Sequence, residues 1–446
     1  MEIRRPIIGP LKVDEIHSGG KGIGIWNEKK YFIPFVIPEE IIIAQTENRR
    51  LGFRTARIHE IIKESPKRVL PICTYFGFCG GCNFMHIDYN HQLFLKKQIL
   101  QKAFEKYKIP LQVTEIEPAV GNINYRNKAV YQVKYDSQTN FVGFHPEWEH
   151  KHVIDVENCY LLQPVINSTY KIIRRELNSF YEKTKDTSIR AFTIRCNSKG
   201  ECQLIFELNE RYTENSILFI SSIREHFKVI GIHYYIRGEH WKKNDTIVHI
   251  KQTEPYLYEN ILGVNLRISP STFFQNNIEI TEKILRYISQ NVDFNKINVL
   301  FDLYSGNGTI SMSLINHLPI RLFTIEGNLH AVNDAIYNSH DKSNHVHIHG
   351  DVLDTFNLNF INHYPKPDAI ILDPPRSGTL IEIQKNIINA KPKTIVYISC
   401  NPVSLAWNLQ QLISKYKITH VKIFDMFPQT HQFETIVILE RIINFP

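Results

Sequence analysis

The sequence predicts an α/β protein in three parts: a small OB-like β-barrel, a β-rich middle, and a doubly wound, Rossmann-like domain at the C-terminal end. Beyond residue 266, strand-like runs alternate with single amphipathic helices, a pattern that implies right-handed crossovers and a mostly parallel sheet. From Ala129 to about Asn265 the runs are strand-rich, with one helix expected around 163–182. Residues 11–61 hold short β-prone runs broken by SGGKG, NEKK and Pro-bearing turns, which suits a small closed barrel. The expected divisions are 1–62, 63–265 and 266–446.

Taken in order, each element has a local reason. After the barrel, HQLFLKKQILQKAFEKY places apolar residues at helical spacing with Lys on the opposite face, an amphipathic helix. AVYQVKY, FTIRC, CQLIFEL and VIGIHYYI supply the strands of the middle part. In the last part KINVLFDLY, IRLFTIEGN, DAIILDPPR and TIVYISCNP each read as a strand feeding a helix, and VKIFDMFP and FETIVILER close the sheet. Ligands of such sheets sit beyond the carboxyl ends of the strands.

The 446 residues are 43% apolar and 22% charged, an ordinary globular composition. The formal charge of +7 suits a polyanionic partner such as RNA. The start, MEIRRPIIGP, has no apolar core of a signal peptide, and no run approaches the roughly 20 apolar residues of a membrane span. A cytoplasmic protein with no membrane contact is expected, a monomer with no obligate protein partner indicated. Seven cysteines and no secretion signal argue against a disulfide framework. Cys196 and Cys202 flank a turn and read as inert packing residues.

FDLYSGNGTI sets a glycine-rich turn after a buried strand, so the backbone of Gly306 and Gly308 can approach a ligand. The next strand ends at Glu326, where a carboxylate can accept from ribose hydroxyls. Asp351 in HIHGD and Asp373 in ILDPPR extend a series of strand-end acids that favours an adenosyl ligand. Cys400 closes TIVYISC and precedes Asn-Pro, the expected first turn of a helix, whose N-terminus lowers a thiol's pKa. That makes Cys400 a candidate nucleophile. Glu434 starts the last strand, and an antiparallel final strand would bring it to the same edge as Cys400, as a proton acceptor. His431 is the competing base. Cys73, Cys79 and Cys82 crowd into C-x5-C-x2-C, and Cys159 is a distant fourth thiol. The spacing admits either zinc or [4Fe–4S].

SPSTFFQNN, DLYSGNGT, DPPRSG, YISCNP and FPQTHQFET, in that order, resemble the RNA uracil-C5 methyltransferases, specifically their bacterial 23S rRNA branch with an N-terminal TRAM domain and an iron–sulfur cluster. The resemblance runs along essentially the whole chain. It implies that Gln275, Tyr304, Glu326 and Asp373 bind S-adenosylmethionine, with Thr309 and Asp351 added. It also implies that Cys400 adds to C6 of the uracil and Glu434 removes the C5 proton. Cys73, Cys79, Cys82 and Cys159 become ligands of a [4Fe–4S] cluster, and Arg126 and Lys128 RNA contacts. The expected product is 5-methyluridine in 23S rRNA, with tRNA as the other substrate considered. Ser305 stands where many relatives have Cys, and Trp407-Asn408 replaces a common Arg-Asp. Two other readings compete. DPPR could belong to an amino-group methyltransferase that needs no thiol, or the chain could be a non-catalytic RNA-binding ribosome-assembly factor.

Overall fold

The computed structural model describes residues 5–47, 52, 54–136, 140–149, 151–226, 229–237, 247–340 and 342–442. Five short strands come first: Ile7–Ile16 (β1), Gly22–Trp26 (β2), Lys29–Ile33 (β3), Ile41–Thr46 (β4) and Ala56–Lys63 (β5). They form one antiparallel sheet, ordered β3-β2-β1-β4-β5. A bridge between Phe32 and Thr55 joins its two edges. The alternate residues Leu11, Val13, Ile33, Ile42 and Ala44 point inward and form its core.

The cysteine segment leads into Tyr89–Lys106 (α1) and Ile116–Glu117 (β6). These elements lie with the C-terminal sheet rather than with the middle part. β6 is its last strand, and Leu95, Ile99, Leu100, Ala103 and Phe104 share a core with Leu405, Leu409 and Leu412. The expected division at 265 is likewise crossed by a hairpin that packs on the C-terminal part, Leu257–Ile261 and Val264–Ile268.

The middle sheet comprises Lys128–Tyr135 (β7), Asn140–Phe144 (β8), Ile154–Asp155 (β9), Ile189–Cys196 (β10), Cys202–Asn209 (β11), Val229–Arg237 (β12) and Val248–His249 (β13). Its order is β13-β12-β11-β10-β7-β8-β9, with only β11 and β12 parallel. The helix Pro164–Thr184 (α2) starts with Pro in the first turn, where its missing N–H costs nothing, and covers one face through Ile166, Tyr170, Ile173 and Leu177. Cys196 and Cys202 are not inert thiols. The β10–β11 register sets them directly opposite each other, and they are joined as a disulfide.

In the C-terminal part the hairpin supplies β14 and β15, and the strands Val299–Leu303 (β16), Arg321–Glu326 (β17), His345–His349 (β18), Ala369–Leu372 (β19), Thr394–Ser399 (β20), Tyr416–Phe424 (β21) and Glu434–Arg441 (β22) follow. The order is β18-β17-β16-β19-β20-β22-β21-β6. The first five strands are parallel, and β22 runs antiparallel to both neighbours. Helices cover both faces, so the central strands are buried on both sides and read as nearly unbroken apolar runs. No helix among the described residues is long and apolar enough to cross a membrane.

One side chain departs from the amphipathic expectation for α1. Lys96 is not on the solvent face; its ammonium is fully buried, 2.5 Å from an Asp425 oxygen, and it also donates to the Phe427 carbonyl at 3.2 Å. Tyr89 donates to the other Asp425 oxygen at 2.8 Å, and Gln92 bonds both the backbone and the side chain of Gln429. A charge can remain in such a place only with a partner and satisfied hydrogen bonds. Lys96→Met should therefore destabilise the protein by about 3–5 kcal/mol in urea unfolding, since it strands Asp425. The double variant Lys96→Met with Asp425→Leu should recover a large part of that loss.

Candidate active site

A cleft of about 1570 Å³ opens at the carboxyl ends of the parallel strands. It exceeds the roughly 300–1,000 Å³ of a single small-molecule site, so it has room for two ligands side by side. Its walls come from every part of the chain: Gly19 of the barrel, Cys82 and Asn83 of the cysteine segment, Arg126 and Lys128 of the middle part, and the strand ends of the last.

One end holds the glycine turn. Tyr304, with φ of 64°, turns the chain out of β16, and Gly306 and Gly308 follow with φ of 56° and 80°. The Gly306 N–H donates to one Glu326 oxygen at 2.9 Å and the Asn328 N–H to the other at 2.7 Å, so the carboxylate is fixed at the tip of β17. Thr309 bonds Asn307 at 2.7 Å, and Asp351 caps a short helix through the Leu353 N–H at 2.8 Å. Gln275 is tied by its carbonyl to Asn127 at 2.9 Å. Gln275, Tyr304, Gly306, Thr309, Glu326 and Asp351, with Asp373, line the cleft. The cradle and its ring of acids can bind a ligand with hydroxyls and a cationic group.

At the other end, the register of β22 on β20 pairs Ser399 with Thr435, which places Cys400 and Glu434 side by side at the sheet edge. Asn401 caps the next helix, Pro402–Leu412, through the Val403 N–H at 3.0 Å, with Pro402 in the first turn. Yet the thiol is not acidified. Burial, then the neighbouring Glu434, push Cys400 up to about 12, against the opposing charge of Arg376. Burial also raises Glu434 well above the usual range, reinforced by Asp373, and Asp373 itself reaches about 7. One Glu434 oxygen is buried without a hydrogen-bond partner among the described residues. Cys400 and Glu434 are thus held toward their neutral forms beside one cationic side chain, Arg376.

Two residues of this site escaped the motif analysis. Arg376, in DPPRSG, is the cation that acts on both Cys400 and Glu434. Asp302, in FDLYSG, is buried and lines the cleft, and burial, with the charges of Asp373 and Glu326, raises it to about 7. An acid inside an otherwise apolar strand was the available signal. Asn408, one of the departures from the family pattern, is buried and braces the DPPRSGT turn, accepting from Tyr397 at 2.8 Å and Thr379 at 3.1 Å.

The free thiols of Cys73, Cys79, Cys82 and Cys159 lie within electrostatic reach of one another around Met85, Tyr125 and Leu161. Burial raises Cys79, to about 11, and also Cys82 and Cys159. Among the described residues no three His, Cys, Asp or Glu side chains stand in a metal-holding arrangement. Arg126 faces these thiols as well as the cleft, and its charge opposes the rise at Cys79, Cys82 and Cys159. Burial and the nearby Arg195 lower Lys128 to about 7, so it is a weaker phosphate anchor than its residue type suggests.

The family model for tRNA (uracil-5-)-methyltransferases matches residues 353–442, the span that holds DPPRSG, Cys400 and Glu434. An RNA methyltransferase of Bacteroides thetaiotaomicron is 30% identical over 94% of this chain and 99% of its own length. The chain belongs to the RNA uracil-C5 methyltransferase family. Another RNA methyltransferase, of Enterococcus faecalis, is 30% identical over 97% of each chain. The tRNA (uracil-54, C5)-methyltransferase of Pyrococcus abyssi, solved with S-adenosyl-L-homocysteine, has the same fold over 96% of this chain and 99% of its own, with a TM-score of 0.75 and 22% identity. Membership of this family makes the chain an RNA methyltransferase.

The buried acids of the methyltransferase give stability a pH dependence of known sign. Asp302 ionises near 4 when unfolded and near 7 when folded, so its contribution is complete below pH 4 and lost as the pH rises to 7 and beyond. Relative to Asp302→Asn, the wild type should lose melting temperature as the pH rises from 4 to 7. An equal slope in both proteins would contradict the assignment.

Proposed function

We propose that the protein methylates C5 of a uridine in structured RNA, with 23S rRNA as the substrate, through covalent addition of Cys400. The single observation that carries this is the pairing of Cys400 with Glu434 across β20 and β22, beside a cleft large enough for donor and nucleotide. Uracil C5 is a weak nucleophile until a thiolate adds to C6, and a base must then remove the C5 proton before sulfur leaves. An amino-group methyltransferase would need neither residue, and a binding factor would not need them together.

In this reading Gln275, Tyr304, Thr309, Glu326, Asp351 and Asp373 hold S-adenosylmethionine, which supplies the methyl group. Cys400 must lose its proton on substrate binding, and Arg376 stabilises the anion that forms. Glu434 takes up the C5 proton, so it too must enter that step ionised, which burial and Asp373 oppose and the Arg376 cation favours. The target uridine leaves its stack to reach the pocket, at a cost of a few kcal/mol that a looped RNA keeps small.

The donor chemistry of the cysteine site supports a [4Fe–4S] group: it offers four free thiols from two segments. We assign it to Cys73, Cys79, Cys82 and Cys159, and the first sheet to a TRAM-type RNA-binding barrel. The rRNA assignment follows the motif order along the whole chain. The tRNA enzyme of Pyrococcus abyssi, which shares the fold from end to end, favours tRNA as a second reading.

Incubated with labelled donor, the protein should methylate a 23S rRNA fragment, and transfer to tRNA instead would move the assignment. Cys400→Ala should abolish both methyl transfer and the covalent adduct with 5-fluorouridine RNA. Glu434→Gln should still form an adduct on normal RNA but release it at least about 10²-fold more slowly. Protein isolated without oxygen should carry about four irons per chain, and Cys159→Ser should lose most of them.

A further inference from the structure

His431 lies in the loop between β21 and β22, three residues before Glu434, and two contacts fix its ring. The Asn83 side-chain oxygen accepts from the His431 backbone N–H at 3.0 Å, and the Asn83 amide nitrogen lies 2.8 Å from Nδ1. The first contact settles the orientation of the amide, because a backbone N–H can only donate. The amide NH2 end therefore faces the ring, and since it too can only donate, Nδ1 carries the lone pair. A neutral ring of this kind bears its proton on Nε2.

The same edge is closed from the other side by the barrel. Gly20, with φ of 79°, packs so tightly that a Cβ there would stand 2.7 Å from Nδ1. The opposite edge of the ring remains, and His431 lines the cleft with Cys400, Glu434 and Arg376. Among the described residues no hydrogen-bond partner meets Nε2. Burial, with the charges of Lys96 and Arg376, lowers the ring to about 4, so it is neutral at physiological pH. A ring that already holds its proton on Nε2, the nitrogen that Asn83 and Gly20 leave open, cannot accept one there, which removes His431 as a rival to Glu434. What it can do there is donate.

We propose that His431, held by Asn83 as the neutral Nε2–H tautomer, binds the target base by donating that hydrogen to O4 of the uracil. The proposal rests on the uracil reading given above. When the Cys400 sulfur bonds to C6, the C5–C6 π pair moves toward C4, and negative charge collects on O4 and C5. C5 then takes the methyl group, Glu434 removes the C5 proton, the C5–C6 double bond re-forms, and sulfur leaves as thiolate. A hydrogen bond to O4 strengthens as the charge develops, so it favours the addition step over ground-state binding. A neutral donor does this without transferring its proton, which would trap the adduct as an enol.

The test measures the rate of covalent adduct formation with a 5-fluorouridine-containing RNA and saturating donor. His431→Ala should slow adduct formation by about 10²–10³-fold with RNA affinity little changed. His431→Gln, whose amide nitrogen reaches the position of Nε2, should restore most of the rate, whereas His431→Asn, which mimics only Nδ1, should not. Replacing O4 of the target by sulfur, a poor acceptor, should slow the wild type more than His431→Ala. Adduct formation by His431→Ala at the wild-type rate, or equal losses in the Gln and Asn variants, would overturn the proposal. Absence of any adduct with the wild-type protein would instead overturn the uracil reading beneath it.

Discussion

The antiparallel insertion of β22 between β20 and β21 is the constraint on which the rest of the site depends. Parallel strands joined by crossover helices deliver their carboxyl ends to one edge, and a sheet made only of them would gather the ends of strands but no beginnings. Running one strand the other way brings the start of β22, Glu434, to the edge where β20 ends at Cys400. The proposed nucleophile and proposed proton acceptor, 34 positions apart, thus become neighbours through backbone hydrogen bonds alone. Because side chains alternate along a strand, a slip of one residue in that register would turn Glu434 to the other face.

The electrostatics of the cleft run against a simple helix-terminus argument. A helix N-terminus stabilises an anion by about 0.3–1 kcal/mol when exposed, whereas burial can shift a pKa by several units. At Cys400 burial wins, as it does at Glu434, Asp373 and Asp302. Burial therefore holds the Cys400 thiol and the Glu434 carboxyl toward their neutral forms beside the Arg376 cation. Such a site is guarded against stray electrophiles, because a thiol is a much poorer nucleophile than its anion.

Much of this was legible in the sequence, for identifiable reasons. The alternation of apolar runs and helical spacing pointed to the parallel sheet, and the ends of those runs marked Glu326, Asp373 and Cys400, which line one cleft. What escaped depended on pairings between distant segments. Lys96 looked like a solvent-facing lysine because helical periodicity cannot see Asp425, which lies 329 positions away. The Cys196–Cys202 bond follows from a hairpin register that composition does not encode. Arg376 stood in a recognised motif, but its role appears only when Cys400 and Glu434 are set beside it. The divisions read from composition likewise overlooked that α1 and β6 pack onto the last sheet.

The buried Lys96–Asp425 contact also governs the order in which the molecule can come together. The loop that precedes Glu434 is anchored to a helix made hundreds of residues earlier, so the emerging N-terminal helix must wait with an unmatched cation until the end of translation. Severed from its first hundred residues, the catalytic half would carry a carboxylate with no counter-ion in an apolar seam. The two ends of the polypeptide thus share one core, and cutting the first away would uncover the apolar face that α1 protects.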